Sequence, residues 1–173
     1  VLGRDEIPVT SLLDKAPLTW RLMRLLPQLI NQPHFEPLQR FLTHDTDLRK
    51  RYQLAERLAD LFDQYQVYRA DWLEDWAEGR HQLRNGRGEA KPLTPANCWQ
   101  AELWRALLLD VGEEGMAQSR AGVHQRFIER INRLDVAPVG LPSRVIVFGI
   151  SSLPAQALEA LAGLARFSQV LLC

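Results

Sequence analysis

Leu48-Arg49-Lys50-Arg51-Tyr52-Gln53-Leu54-Ala55-Glu56-Arg57-Leu58-Ala59-Asp60-Leu61-Phe62-Asp63-Gln64-Tyr65-Gln66-Val67-Tyr68-Arg69 is the clearest periodic stretch of the chain. Leu54, Leu58, Leu61, Phe62 and Tyr65 recur at helical spacing, whereas Gln53, Glu56, Arg57, Asp60, Asp63 and Gln64 trace the opposite side. This pattern predicts one long amphipathic helix over about 48–69. The polar turn His44-Asp45-Thr46-Asp47 lies just ahead, so Asp45, Thr46 or Asp47 is positioned to cap it.

Upstream, Pro8 and Pro17 make residues 1–17 an irregular opening segment. Leu18, Leu22, Leu25, Leu26 and Leu29 predict a helix over 18–30 that Pro27 should kink or end. A short helix is expected over Phe35–Leu42. Downstream, Tyr68, Trp72 and Trp76 recur every four residues and should pack against a neighbour. Residues 79–96 contain three Gly, two Pro and the turn pair Asn85-Gly86, and are expected to form a mobile surface loop. Asn97 can cap a helix with Trp99, Leu103, Leu107 and Leu108 inside, ending near Gly112. Another helix is expected from about Ser119 to Leu134.

After Pro138 and Pro142 the periodicity changes. Val145-Ile146-Val147-Phe148-Gly149-Ile150 reads as a buried parallel strand. Ser151-Ser152-Leu153-Pro154 then supplies a hydroxyl cap and an early proline for a helix over 154–165, and Gln169–Cys173 returns as a strand. The expected fold is therefore mainly α with a small α/β part. It comprises a helical bundle region over 18–137 and a C-terminal β-α-β unit over 138–173. The chain starts at Val1 without Met and stops inside an apolar run, so it reads as an excised piece.

Composition narrows the chemistry. The 173 residues carry 21 basic and 21 acidic groups, leaving no overall attraction for a polyanion. Any nucleic-acid contact must be local. Lys15, Lys50 and Lys91 are the lysines, so the other 18 of 21 basic residues are Arg, which suits phosphate or carboxylate forks and also follows from a GC-rich coding sequence. Cys98 and Cys173 fit a reduced compartment, and the expected location is cytoplasmic. No apolar run approaches the roughly 20 residues of a membrane span, and no leader is recognised.

The sequence contains no Gly-rich phosphate loop ending in Lys-Ser/Thr. The turn after Ile150 can present backbone N–H groups to a phosphate, although ordinary capping explains it. His44 and Asp45 resemble a metal-dependent phosphohydrolase pair, but His34, His81 and His124 lack partner spacing, so a polar turn is the simpler reading. Asp60, Asp63 and Gln64 project together from one helical turn. They can bind Mg²⁺, form a solvated face, or accept hydrogen bonds from exposed bases. Cys98 reads as a small core residue, and no nucleophile is proposed.

Several strings are more specific than these patterns. They are Thr19-Trp20-Arg21-Leu22-Met23-Arg24-Leu25-Leu26-Pro27-Gln28-Leu29; Ala59-Asp60-Leu61-Phe62-Asp63-Gln64-Tyr65 continuing to Leu73; Trp99-Gln100-Ala101-Glu102-Leu103-Trp104; Gln125-Arg126-Phe127-Ile128-Glu129; and Gly140-Leu141-Pro142-Ser143-Arg144-Val145 continuing to Pro154. In order and spacing they resemble the N-terminal part of the RecC family, the gamma chain of bacterial exodeoxyribonuclease V. The resemblance covers nearly the whole chain and is weakest over 1–16 and 79–96.

The resemblance implies a superfamily 1 helicase-like architecture that has lost its ATP site. It implies a non-catalytic subunit for DNA repair by recombination, partnered by RecB and RecD, that helps split duplex DNA and scans single-stranded DNA for the hotspot Chi. No cofactor is expected here, because ATP and Mg are used by the partner subunits of the helicase and nuclease. The family's strand channel is matched by Asp60, Leu61, Asp63, Gln64, Arg69 and Arg120. By this analogy Leu61 is a wall, and Arg69 and Arg120 pair phosphate or a guanine edge unless they form ordinary surface ion pairs. The rival reading is a helical scaffold whose Trp- and Leu-rich faces bind partner subunits. Zero net charge and an incomplete channel predict weak, salt-sensitive DNA binding by this piece alone.

Overall fold

The computed structural model describes residues 1–43, 48–150 and 152–173. The turn His44-Asp45-Thr46-Asp47, with the expected caps Asp45, Thr46 and Asp47, and the Ser151 hydroxyl lie outside the described residues. The fold is mainly helical with a small sheet component, and it divides into two compact units, residues 10–116 and residues 1–9 with 117–173. Among the described residues no helix is long and apolar enough to cross a membrane.

The first unit is built on α1 (Lys15–Leu29), α2 (Glu36–Leu42), α3 (Arg49–Tyr68), α4 (Ala70–Ala77) and α5 (Cys98–Ala117). Leu18, Leu22 and Leu26 on α1 meet Ala55, Leu58, Ala59 and Phe62 on α3, and Leu103, Trp104 and Leu107 of α5 join the same core. Helix α1 starts three residues earlier than the periodicity predicts and runs through Pro27 to Leu29. Pro27 falls in the last turn, where losing one N–H ends the helix shortly afterwards instead of breaking its middle. Helix α3 matches its prediction closely, but its N-cap is Leu48 at φ 63 with no side-chain cap. Gln66 is buried on the same helix and donates to the Leu13 carbonyl at 2.8 Å, holding the segment before α1 against α3.

Residues 79–96, expected as a loop, contain an antiparallel hairpin of β1 (Gln82–Arg84) and β2 (Ala90–Pro92), with Leu83 opposite Lys91. Three-residue strands reading Gln-Leu-Arg and Ala-Lys-Pro lack the β-branched alternation that identifies a strand. Helix α4 leads into the hairpin through Gly79 at φ 79, where Gly79 N–H donates to Trp76 O at 3.0 Å and Arg80 N–H to Asp75 O at 2.8 Å. This is the paired C-terminal closure that favours glycine.

The chain between α3 and α4 breaks at Arg69, φ −138, so the spacing of Tyr68, Trp72 and Trp76 does not describe a single stripe. Tyr68 is exposed, contrary to the packing expectation, whereas Trp76 is fully buried. The two indoles also hold the hairpin. Trp72 Nε1 donates to Arg84 O and Trp76 Nε1 to Gln82 O, each at 2.9 Å. Four helical residues rise about 6 Å and two strand residues about 6.7 Å, so the spacings match.

Asp75 supports this arrangement from beneath. Its side chain is only 2% exposed. Arg84 donates to it through Nε and Nη2 at 2.7 and 2.9 Å, Gln82 through Nε2 at 2.8 Å, and Arg80 through Nε at 2.8 Å. These donors, led by Arg84, hold the carboxyl well below the usual carboxylate range against the opposing effect of burial.

As the sequence suggests, the first helical stretch of α5 ends at Gly112, whose φ of 72 leaves helical geometry, and a second short stretch follows it to Ala117. Its start differs from expectation: Asn97 lies within a 3-10 turn, Pro95–Asn97, running directly into Cys98, and makes no side-chain cap.

The second unit contains α6 (Arg120–Asn132), β3 (Arg144–Val147), α7 (Ala155–Leu164) and β4 (Gln169–Leu172). Ser119, expected as the first residue of this helix, is instead its N-cap and accepts from Gly122 N–H at 3.1 Å. Strands β3 and β4 pair in parallel with α7 between them, Val145 opposite Val170 and Ile146 opposite Leu171. The expected burial of β3 is not realised, since Phe148 just beyond it is 82% exposed and Ile146 also faces solvent. A two-stranded sheet leaves apolar side chains of the run uncovered within this unit. Helix α7 has Pro154, not a hydroxyl residue, at its N-cap.

The Asp75 contacts generate a stability prediction. Asp75→Asn removes a buried acceptor of several charged hydrogen bonds and should lower unfolding free energy at pH 7 by about 2–3 kcal/mol. A depressed native pKa stabilises above the unfolded value of about 3.9 and loses that effect as pH falls through the native value. Denaturant melts should therefore show the gap between wild type and variant narrowing below about pH 4.

Candidate nucleic-acid interface

Helices α1 and α3 run antiparallel, because Lys15 at the start of α1 meets Asp60 late in α3 while Trp20 further along α1 meets Tyr52 earlier in α3. Their outer seam carries the polar trio. Lys15 Nζ donates to Asp60 Oδ1 at 2.8 Å, and Gln64 Nε2 donates to Asp60 Oδ2 at 3.2 Å. Asp60 and Asp63 are half-buried and Gln64 is exposed. The Lys15 contact holds the Asp60 carboxyl below its usual range, assisted by Arg57 and Gln64. Reciprocally, Asp60 raises the Lys15 ammonium, with smaller contributions from Glu56 and Asp63.

Lys15 and Arg57 face Glu56, Asp60 and Asp63, so the local balance is two cations to three carboxylates. Such a surface repels phosphate but accepts hydrogen bonds from the amino groups of cytosine and adenine. The cation beside Asp60 is the chain's own ammonium. Among the described residues no group of three His, Cys, Asp or Glu side chains is placed to hold a metal ion. Leu61 is half-buried beside the trio and is not part of the described core.

Arg69 occupies a different environment, at the junction of α3 and α4. Its guanidinium lies 3.7 Å above the Trp72 ring, binds Asp71 through Nε and Nη2 at 3.0 and 2.8 Å, and donates to the Arg84 carbonyl. Those contacts tie α4 to the hairpin. Arg120 is exposed in the first turn of α6, in the other unit. The structure thus brings Asp60, Asp63 and Gln64 together, with Leu61 adjacent, and gives Arg69 a structural set of partners.

Lys15, Trp20 and Tyr52 were not singled out by the sequence pattern. Trp20 did carry a signal, since it falls between the apolar positions Leu18 and Leu22 on the side of α1 that the core does not need. Lys15 carried none, because its partner lies 45 residues away.

The whole chain, residues 1–173, matches the family described as "RecC, N-terminal domain". The chain belongs to this RecC family. It is 45% identical over 166 residues to the RecBCD enzyme subunit RecC of Escherichia coli K12, covering 95% of this chain and 14% of that protein. The RecC subunit of Haemophilus influenzae is 37% identical over 169 residues, covering 88% of this chain and 15% of that protein. That of Mycobacterium tuberculosis CDC 1551 / Oshkosh is 31% identical over 170 residues, covering 89% and 14%. The chain therefore spans about one-seventh of the length of these curated RecC relatives.

The seam's electrostatics are directly measurable. Lys15→Met should raise the Asp60 pKa toward its ordinary value, because the largest influence lowering it is removed. Carboxyl-carbon NMR titration reads this shift, and an unchanged Asp60 midpoint would refute the assigned coupling.

Proposed function

We propose that this RecC domain forms part of the wall of a channel through which one unpaired DNA strand passes, with Asp60, Asp63 and Gln64 reading base edges. The observation carrying this reading is the acceptor stripe of Asp60 and Gln64 at the surface of the α1/α3 seam, continued by Asp63, one of whose carboxylate oxygens is buried. The local excess of carboxylates over cations favours bases over phosphates. Leu61 supplies an apolar wall. Arg69 positions α4 and the hairpin, and Arg120 contributes a cation to phosphate or guanine.

In this proposal the domain is a helicase-like element without motor chemistry. It acts in an exodeoxyribonuclease V assembly with RecB and RecD, which use ATP and Mg, move the strand and cut it. The RecC part recognises Chi during recombinational repair of double-strand breaks. Of the apolar faces that the scaffold reading would offer to partners, Trp76, Leu103, Trp104 and Leu107 are buried in the chain's own core, whereas Leu109, Ile146 and Phe148 are exposed and remain open to a partner.

The test uses the full-length protein in its assembled RecBCD complex. Asp63→Ala and Gln64→Ala should each reduce the Chi response about tenfold, the order expected for losing a base-specific contact, while ATP-driven unwinding continues. An unchanged Chi response in both variants overturns the base-reading role. Loss of complex assembly by both would instead favour the scaffold.

A further inference from the structure

We propose that Trp20 and Tyr52 form a base-stacking platform for the same unpaired DNA strand, extending its track along the α1/α3 seam beyond the acceptor stripe. This inference rests on the strand-channel reading above and adds a second mode of contact to it. Trp20 is 67% exposed and Tyr52 41% exposed, although each comes from a helix whose opposite side is buried. Their ring centroids are 6.1 Å apart with planes tilted by 53°, so the rings support one another and leave Trp20 largely open to solvent. An exposed indole braced by a second ring is suited to accept the face of a base, and such stacking tolerates any base.

The placement along α3 fits a continuous strand. Eight residues separate Tyr52 from Asp60, a rise of about 12 Å. An unpaired strand crosses that distance in a few nucleotide steps. At about 100° per residue, Tyr52, Glu56, Asp60 and Asp63 fall within roughly 80° of the helix circumference. One side of α3 therefore carries the aromatic ring at one end and the carboxylates at the other.

The charge around the rings identifies the occupant. Arg49, Lys50 and Arg51 immediately precede Tyr52, and the first turn of α3 contains no acid. Counting Asp45 and Asp47 as well, residues 45–51 retain one net positive charge. Aromatic faces beside cations complement a single strand, with bases on the rings and phosphates toward the Arg-Lys-Arg turn. A protein-binding hot spot favours fewer charges at its centre.

The test uses the full-length protein in its assembled RecBCD complex and a forked DNA whose scanned strand carries 4-thiothymidine at successive positions. Irradiation and peptide mapping should give crosslinks to the α1 segment holding Trp20. These should be offset by a few nucleotides from crosslinks to the α3 segment holding Asp63 and Gln64. Trp20→Ala should lower the first yield about tenfold, as expected for one lost stacking contact, and leave the second in place, while Trp20→Phe restores most of the loss. Crosslinks at Asp63 and Gln64 with none at Trp20 or Tyr52 in the wild-type complex overturn the platform alone. Absence of crosslinks from both segments overturns the strand-channel reading as well. If Trp20 crosslinks to a partner subunit instead of DNA, the patch is a protein interface and the proposal fails.

Discussion

A buried carboxylate determines how the middle of this chain is organised. Asp75 projects from a short helix into a site with almost no water and must find hydrogen bonds there, because an unsatisfied charge in such a place is strongly destabilising. The donors are Arg80, Gln82 and Arg84, which follow within nine residues. Meeting that demand turns the backbone back under α4 through Gly79 and sets β1 beside the helix. The hydrophobic effect drives collapse of the unit, but it is non-directional. The carboxylate and the indole N–H groups supply the direction.

The seam between α1 and α3 shows how one interface serves two purposes. Inside, leucines and alanines pack the helices together; outside, the same contact brings Lys15 against Asp60 and Trp20 against Tyr52. The exposed ion pair contributes little to stability at best. Its consequence is electrostatic: it places the chain's own ammonium beside a surface carboxylate. In the proposed channel a strand meets acceptors at this end of the seam and aromatic rings at the other, a division that follows from antiparallel packing.

The strongest periodicities were legible before any coordinates. The pattern over 48–69 corresponds to Arg49–Tyr68, the helix expected from about Ser119 to Leu134 runs Arg120–Asn132, and the apolar runs near 145 and 170 pair in parallel. What remained hidden depended on distant partners or on weak local signals. The hairpin strands are three residues long and lack strand-forming composition, so their register is set by Asp75 and the indoles instead of by their own sequence. Tyr68 broke its apparent pattern because Arg69 leaves helical geometry and ends the repeat. At the candidate site, the polar trio followed from helical spacing, but Lys15 could be found only once α1 lay beside α3. Arg69, expected near the strand, has its guanidinium engaged by Trp72, Asp71 and the Arg84 carbonyl, none of which spacing could reveal.

The hairpin's hydrogen-bonding pattern also limits how other chains can approach it. Leu93 N–H reaches His81 O and Asn85 N–H reaches Glu89 O, so the carbonyls of Gln82 and Arg84 point away from β2, where the indoles of α4 cover them. On the opposite margin, Pro92 has no N–H to offer. Both margins are thereby blunted against an incoming strand, so this two-stranded ribbon resists β-augmentation and edge-to-edge aggregation.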